Sequence, residues 1–252
     1  LETSGLQPAI VDVDSFALGN AYELSGSVNP QAIAQGKLVA LVDIGASKTN
    51  INIMSDSLSY FTREFYKGGD DLTDAISKKL SMDMKEAEAL KRSATGAAAG
   101  GGEGSMPIVM VDNGGSPTGR RERSTTKVPI VLLEKGDTGK YGSPPESGGG
   151  DADRVMDCIN GVIEDICHDI NISIDYFENQ YDKKVEEVYI TGGASNTPGL
   201  LEVLERTVQK PVNRWNPVQF MEAGLSKDSQ QELQDYASQA AIALGLAARV
   251  AD

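Results

Sequence analysis

Twice in this chain a strand-like run leads straight into a glycine turn, and that arrangement restricts the fold more than any bulk property. Leu38 to Ile44 (LVALVDI) is nearly all apolar, as a strand in the interior of a sheet is. Lys48 to Met54 and Ser57 to Phe65 follow at once and alternate apolar with polar residues, which predicts two further strands in antiparallel sequence. Between the first two lies Asp43-Ile44-Gly45-Ala46-Ser47. An acidic residue at a strand end, with a glycine and a hydroxyl in the turn, can hold a hydrated Mg²⁺ while turn N–H groups face a phosphate. The same residues also suit an ordinary hairpin turn.

The second turn is TGGASNTPGL, Thr191 to Leu200, directly after the run Val185 to Ile190. Gly192 and Gly193 lack a Cβ, so the backbone can take positive φ and another molecule can come close. The amphipathic run LLEVLERTV follows. A helix there begins with unpaired N–H groups and the positive end of its dipole, which suits a phosphate or the sugar edge of a nucleotide. A strand-to-helix glycine turn is often structural, so the pair of turns carries more weight than either alone.

Other segments narrow the choices. Val155, Ile159, Ile163, Ile166, Ile170, Ile174 and Phe177 recur at steps of three and four, which predicts one long helix with an acidic outer face. Cys158 and Cys167 lie nine residues apart on that helix, about 13.5 Å along its axis, too far for a disulfide. No zinc spacing exists. The lone histidine, His168, has no second ligand or serine at workable spacing, so no triad can be built and no catalytic residue is expected. The last run, LQDYASQAAIALGLAAR, reads as one helix whose Ala237, Ala241, Gly245 and Ala248 share a face and allow another helix to pass close.

Composition excludes several functions. At 252 residues and 40% hydrophobic, the chain can bury a sizeable core. A formal charge of −14 argues against nucleic acid and against unaided binding to anionic lipid. No run of about 18 apolar residues exists to insert into a membrane. Residues 94–152 are a Gly-rich insert, with glycine runs at both ends. Within it, Met106 to Val111 and Val128 to Leu133 predict a β-ribbon. A basic loop with Arg120, Arg121, Arg123 and Lys127 joins the two runs, either as a solubilising tip or as a surface for an acidic partner.

Four segments in this order, DIGASKTNINI, FTREFYKGGDDLTDAI, AEALKR and YITGGASNTPGL, resemble the PilM-like family of type IV pilus assembly proteins, within the actin/FtsA/DnaK-type ATPase superfamily. The resemblance implies an α/β, actin-like (ribonuclease-H-like) lobe with a mixed five-stranded sheet and helices, plus a smaller subdomain carrying the Gly-rich insert. It makes residues 1–37 the end of a first lobe and an interlobe helix, with the remainder of that lobe missing. Residues 38–67 and 181–252 become the core of the second lobe, and 68–180 the smaller subdomain.

The family pattern assigns roles residue by residue. Asp43, Gly45, Ala46, Ser47, Lys48 and Thr49 would form a phosphate loop, with Asp43 holding Mg through water. Gly192, Gly193, Ala194, Pro198 and Gly199 would form the adenosine loop. Glu88 and Lys91, three apart on one helix face, would lie near the ribose and adenine, although unaided that spacing suits a solvated ion pair. The resemblance implies ATP and Mg as cofactors and at most slow hydrolysis. It also implies a cytoplasmic scaffold, peripheral at the inner membrane through a PilN-like cytoplasmic tail and other platform or motor proteins. Alternatives in the same superfamily are an FtsA-like filament protein and a catalytic ATPase or sugar kinase; a sugar kinase needs an aspartate base that no segment supplies.

Overall fold

The structure, a computed structural model, describes residues 5, 10–28, 33–34, 36–99, 151–219, 221 and 226–249. The chain divides into two compact units, Leu1–Gly101 with Gly149–Asp252, and Gly102–Gly148, and all described residues belong to the first. The ribbon and basic loop predicted within 94–152 lie outside them.

The β-meander of the sequence reading forms. Strands β1 (Val39–Ile44), β2 (Thr49–Ser55) and β3 (Leu58–Phe65) pair antiparallel in succession. Gly45 N donates to the Lys48 carbonyl at 2.9 Å and closes the first turn. Asp56 and Ser57 close the second, both with positive φ (41° and 66°), as a two-residue hairpin turn requires. A register shift at Ile53/Met54 leaves Tyr60 as the extra residue of a bulge.

Helix α1 (Asp14–Val28) precedes the meander; α2 (Gly69–Leu80), α3 (Met84–Ala99) and the 31-residue α4 (Asp151–Tyr181) follow it. Then come β4 (Glu187–Thr191), a 3₁₀ turn Gly193–Asn196, α5 (Leu200–Val208), β5 (Val212–Arg214), α6 (Lys227–Asp235), a 3₁₀ turn Ala237–Gln239 and α7 (Ala241–Ala248). The sheet order is β3-β2-β1-β4-β5, with β4 parallel to both β1 and β5. This is the mixed five-stranded sheet expected.

Helices cover both faces. Alternate residues of β1 (Ala40, Val42, Ile44) and β4 (Val188, Ile190) join the isoleucine stripe of α4, Leu72 and Ile76 of α2, and Leu200 and Leu204 of α5 in the main core. On the opposite face, Val39, Leu41 and Met54 pack with Leu18, Ala21 and Tyr22 of α1, with Trp215, and with Ala241 of α7. At the far end of α4, Glu178 accepts from Val185 N at 2.9 Å and pairs with Lys184 and Lys210, fixing where β4 begins.

Two expectations are corrected. Strand β2 alternates in chemistry but is buried on both faces, because Asn52 is satisfied inside: its Nδ2 donates to the Ser15 carbonyl at 2.8 Å, and its Oδ1 accepts from Ser59 Oγ at 2.5 Å. The last helix is broken between Asp235 and Ala241. In a continuous helix the Ser238 carbonyl would serve residue 242. Here it accepts from Gly192 N at 2.8 Å and Thr191 Oγ1 at 3.0 Å.

The close approach of small residues holds for α7 alone. A Cβ on Gly245 would lie 1.7 Å from the Ala17 carbonyl oxygen of α1, so these two backbones touch.

Candidate functional site

Strands β1 and β4 are parallel neighbours, and their carboxyl ends release the chain at Gly45 and Gly192 side by side. A crevice beyond such ends is where open α/β sheets take ligands. A cavity of about 560 Å³ opens there, lined by Asp43, Gly45, Ala46, Gly69, Asp70, Glu88, Lys91, Arg92, Gly192, Gly193, Ala194, Asn196, Thr197, Asp235, Tyr236, Gln239 and Ile242.

The turn after β4 takes its shape from Gly192, whose φ is +91°. A Cβ there would sit 2.4 Å from the Ile44 carbonyl oxygen and 2.5 Å from Asp43 Oδ1, so this position cannot carry a side chain without moving the neighbouring strand end. Gly193 differs. It is exposed, its φ is not in the left-handed region, and an added Cβ would meet only Gln239, at an ordinary 3.5 Å. Ser195 N and Oγ both donate to the Gly192 carbonyl, at 3.1 and 2.7 Å, and hold the 3₁₀ turn.

On the opposite wall, the β1–β2 turn is braced by α2. Gly69 N donates to the Gly45 carbonyl at 2.9 Å and Asp70 N to the Ala46 carbonyl at 2.8 Å, so these two amides of the α2 N-terminus serve the turn. Behind them, Lys91 Nζ contacts Glu88 Oε2 at 2.7 Å, and Arg92 Nε contacts Glu88 Oε1 at 2.9 Å. Burial pushes the Glu88 carboxyl up, but hydrogen bonds from Lys91, Thr73 and Arg92 outweigh it and hold the group at about 2.

Asp43, like Glu88, is a half-buried carboxylate of the cavity. Burial pushes its pKa up, against a 3.4 Å hydrogen bond from Asn50 Nδ2. The nearby ammonium of Lys48 contacts other carboxylates, Asp14 at 2.8 Å and Glu64 at 2.7 Å, and these raise its pKa. A hard dication holding its water would supply Asp43 with a countercharge that no described residue gives it in contact, so the donor chemistry fits Mg²⁺ through water. Among the described residues no cluster of three or more His, Cys, Asp or Glu is placed to bind a metal directly.

Of the residues expected at the site, Asp43, Gly45, Ala46, Glu88, Lys91, Gly192, Gly193 and Ala194 line this one cavity, whereas Ser47, Lys48, Thr49, Pro198 and Gly199 do not. Thr49 Oγ1 is turned to the Lys67 carbonyl at 2.8 Å. Gly199, with φ +76°, seats the start of α5 over Met156 of α4, so the helix N-terminus considered for phosphate lies on the core. Sequence reasoning missed Gly69, Asp70, Arg92, Asn196, Thr197 and the Asp235–Ile242 wall. Gly69, Asp70, Arg92, Asn196 and Thr197 lie within the segments that carry the family resemblance, whereas the 235–242 wall had no local signal. His168 is exposed on α4, and burial pushes the Cys167 thiol up to about 12, which disfavours the reactive thiolate. No described helix is long and apolar enough to cross a membrane.

A family model described as "Type IV pilus assembly protein PilM" matches residues 1–97 and 152–251. Among solved structures, the chain is similar to a "PilM-PilN type IV pilus biogenesis complex", with a TM-score of 0.65 and 21% identity over 98% of this chain and 55% of that one. It is also similar to MreB 5 of Spiroplasma citri bound to AMPPNP, with a TM-score of 0.50 and 14% identity over 93% and 64% of the two chains. These likenesses are of fold, and the fold is actin-like. The chain spans little more than half the length of the first structure.

Proposed function

The chain belongs to the PilM family of type IV pilus assembly proteins, and from that premise we propose that it is part of a nucleotide-binding scaffold of the pilus assembly platform. ATP would lie in the cavity at the ends of β1 and β4. Gly45 and Ala46 would face the phosphates, with Asp43 holding Mg²⁺ through water and Gly193 and Ala194 flanking the nucleoside. One observation carries this reading. Three stretches far apart in sequence, the Asp43–Ala46 turn, Glu88 with Lys91, and Gly192–Ala194, line a single cavity. The proposal is one of binding and assigns no catalytic residue.

The partner proposed is the cytoplasmic tail of a PilN-like membrane protein, because the similar structure named above is a PilM–PilN complex. Docking through that tail and neighbouring platform proteins would place the protein at the cytoplasmic side of the inner membrane.

The test is ATP titration with Mg²⁺ by calorimetry on this chain and on Gly193→Asp. The chain spans little more than half the length of the similar structure, so the affinity expected is weak, near 1 mM, or about −4 kcal/mol. A carboxylate at residue 193 should repel phosphate and crowd the nucleoside, weakening binding at least tenfold. Since Gly193 has ordinary φ and an added Cβ would make only ordinary contacts, the thermal midpoint should stay put. Equal affinity in the variant would remove the adenosine-loop assignment.

A further inference from the structure

Lys91 makes three contacts inward. Its Nζ lies 2.8 Å from the Gly69 carbonyl oxygen, 2.7 Å from Thr73 Oγ1 and 2.7 Å from Glu88 Oε2, and the side chain is 12% exposed. An ammonium has three donors, and acceptors are in place for all three. Thr73 Oγ1 donates to Glu88 Oε2 at 2.6 Å, so the hydroxyl and the carboxylate are held against each other as well.

The carbonyl that Lys91 holds belongs to Gly69, the first residue of α2. The amide of that same residue is bonded to the Gly45 carbonyl, and the next amide to the Ala46 carbonyl. A Cβ on Gly68 would lie 2.6 Å from both of those carbonyl oxygens, so turn and helix meet backbone against backbone. The connection therefore runs without a break from the β1–β2 turn, through one peptide unit of α2, to α3.

We infer that Lys91 is a positioning residue that fastens α3 to the β1–β2 turn through Gly69, so that these two walls of the cavity keep one spacing. A sugar-contacting lysine would instead spend a donor on its ligand. The strut stands on the hydrogen bonds alone. Its consequence for ligands rests on the nucleotide reading above: a molecule that spans both walls depends on their spacing, and one that touches a single wall does not.

Two measurements on the full chain test this. Without ligand, Lys91→Met should speed amide exchange at Gly69 and Asp70 at least tenfold while leaving the β1–β2 ladder unchanged, and Thr73→Val should do the same to a smaller degree. Unchanged exchange at Gly69 and Asp70 in both variants overturns the strut. With ligand, Lys91→Met should weaken ATP at least tenfold but adenosine less than twofold, a split that general loosening of the fold would not produce. Equal losses for the two would make Lys91 a direct ligand and overturn the inference. If neither compound binds the unaltered chain, the nucleotide reading falls, and the exchange result alone decides the strut.

Discussion

The two faces of the sheet are covered by different chemistry. Toward α2–α5, the strands send methyl-rich side chains into a core where Ile159, Ile163, Ile166, Ile170 and Phe177 are fully buried. Toward α1 and α7, the same strands present Leu41 and Met54 but also the buried Asn50 and Asn52, and the two covering helices meet at bare backbone, Gly245 against Ala17. The first face is held by packed area, roughly 25 cal/mol per Å² removed from water. The second buries a smaller apolar cluster and adds buried hydrogen bonds and close backbone approach, which fix positions more narrowly. The contrast separates what keeps the domain folded from what sets the placement of its outer helices.

The strongest way to break this comparison is Phe177→Ala. Phe177 is fully buried and stacks on Tyr181 at 4.9 Å, so about 4 kcal/mol should be lost in chemical denaturation. A loss below about 1 kcal/mol would show that the apolar face is not the main source of stability.

Gly245→Ala comes next. Its Cβ would meet the Ala17 carbonyl at 1.7 Å, so α7 must move away from α1, at a cost of about 2–3 kcal/mol. The change should appear as faster amide exchange in α1 and α7, with α4 untouched. Exchange rising equally in α4 would mean that the two faces do not respond separately.

The smallest effect lies at the rim, on Glu88. Its carboxyl is held at about 2 when folded, below the ordinary value of about 4.3. Its contribution is therefore complete above the ordinary value and fades as pH falls toward 2. The side chain is 34% exposed and screened, so the contribution is below about 1 kcal/mol. Relative to Glu88→Gln, the unaltered chain should lose extra stability between about pH 4.5 and 2, and parallel titrations would show that the Glu88 pairs contribute nothing.

Much of this architecture was legible because its signals are local. The meander follows from three adjacent runs, α4 from its seven-residue apolar stripe, and both glycine turns from their strands. What escaped depended on distant neighbours. The break after Asp235 arises because the Ser238 carbonyl is bonded to the 191–192 turn, which nothing near Ser238 announces. Lys48 reads as a phosphate-loop lysine, yet Asp14 and Glu64 hold it, from α1 on one side and β3 on the other. Glu88 and Lys91 read correctly as neighbours on a face. Spacing could not say that the face turns inward to Gly69.

The parallel pairing of β1 with β4 has a consequence for how the molecule assembles. Hairpins β1–β2 and β2–β3 close over a few residues each, whereas Val39 meets Glu187 across most of the chain. Such distant pairings form late, because loop closure must be met before the contact returns anything. The closure term grows only as the logarithm of loop length, so the stretch between the two family-matched segments adds about 0.4 kcal/mol to it. The crevice between the two glycine turns exists only once that pairing has formed. A compound lodged there recognises only the finished chain, and by mass action it would draw a partly assembled population toward completion.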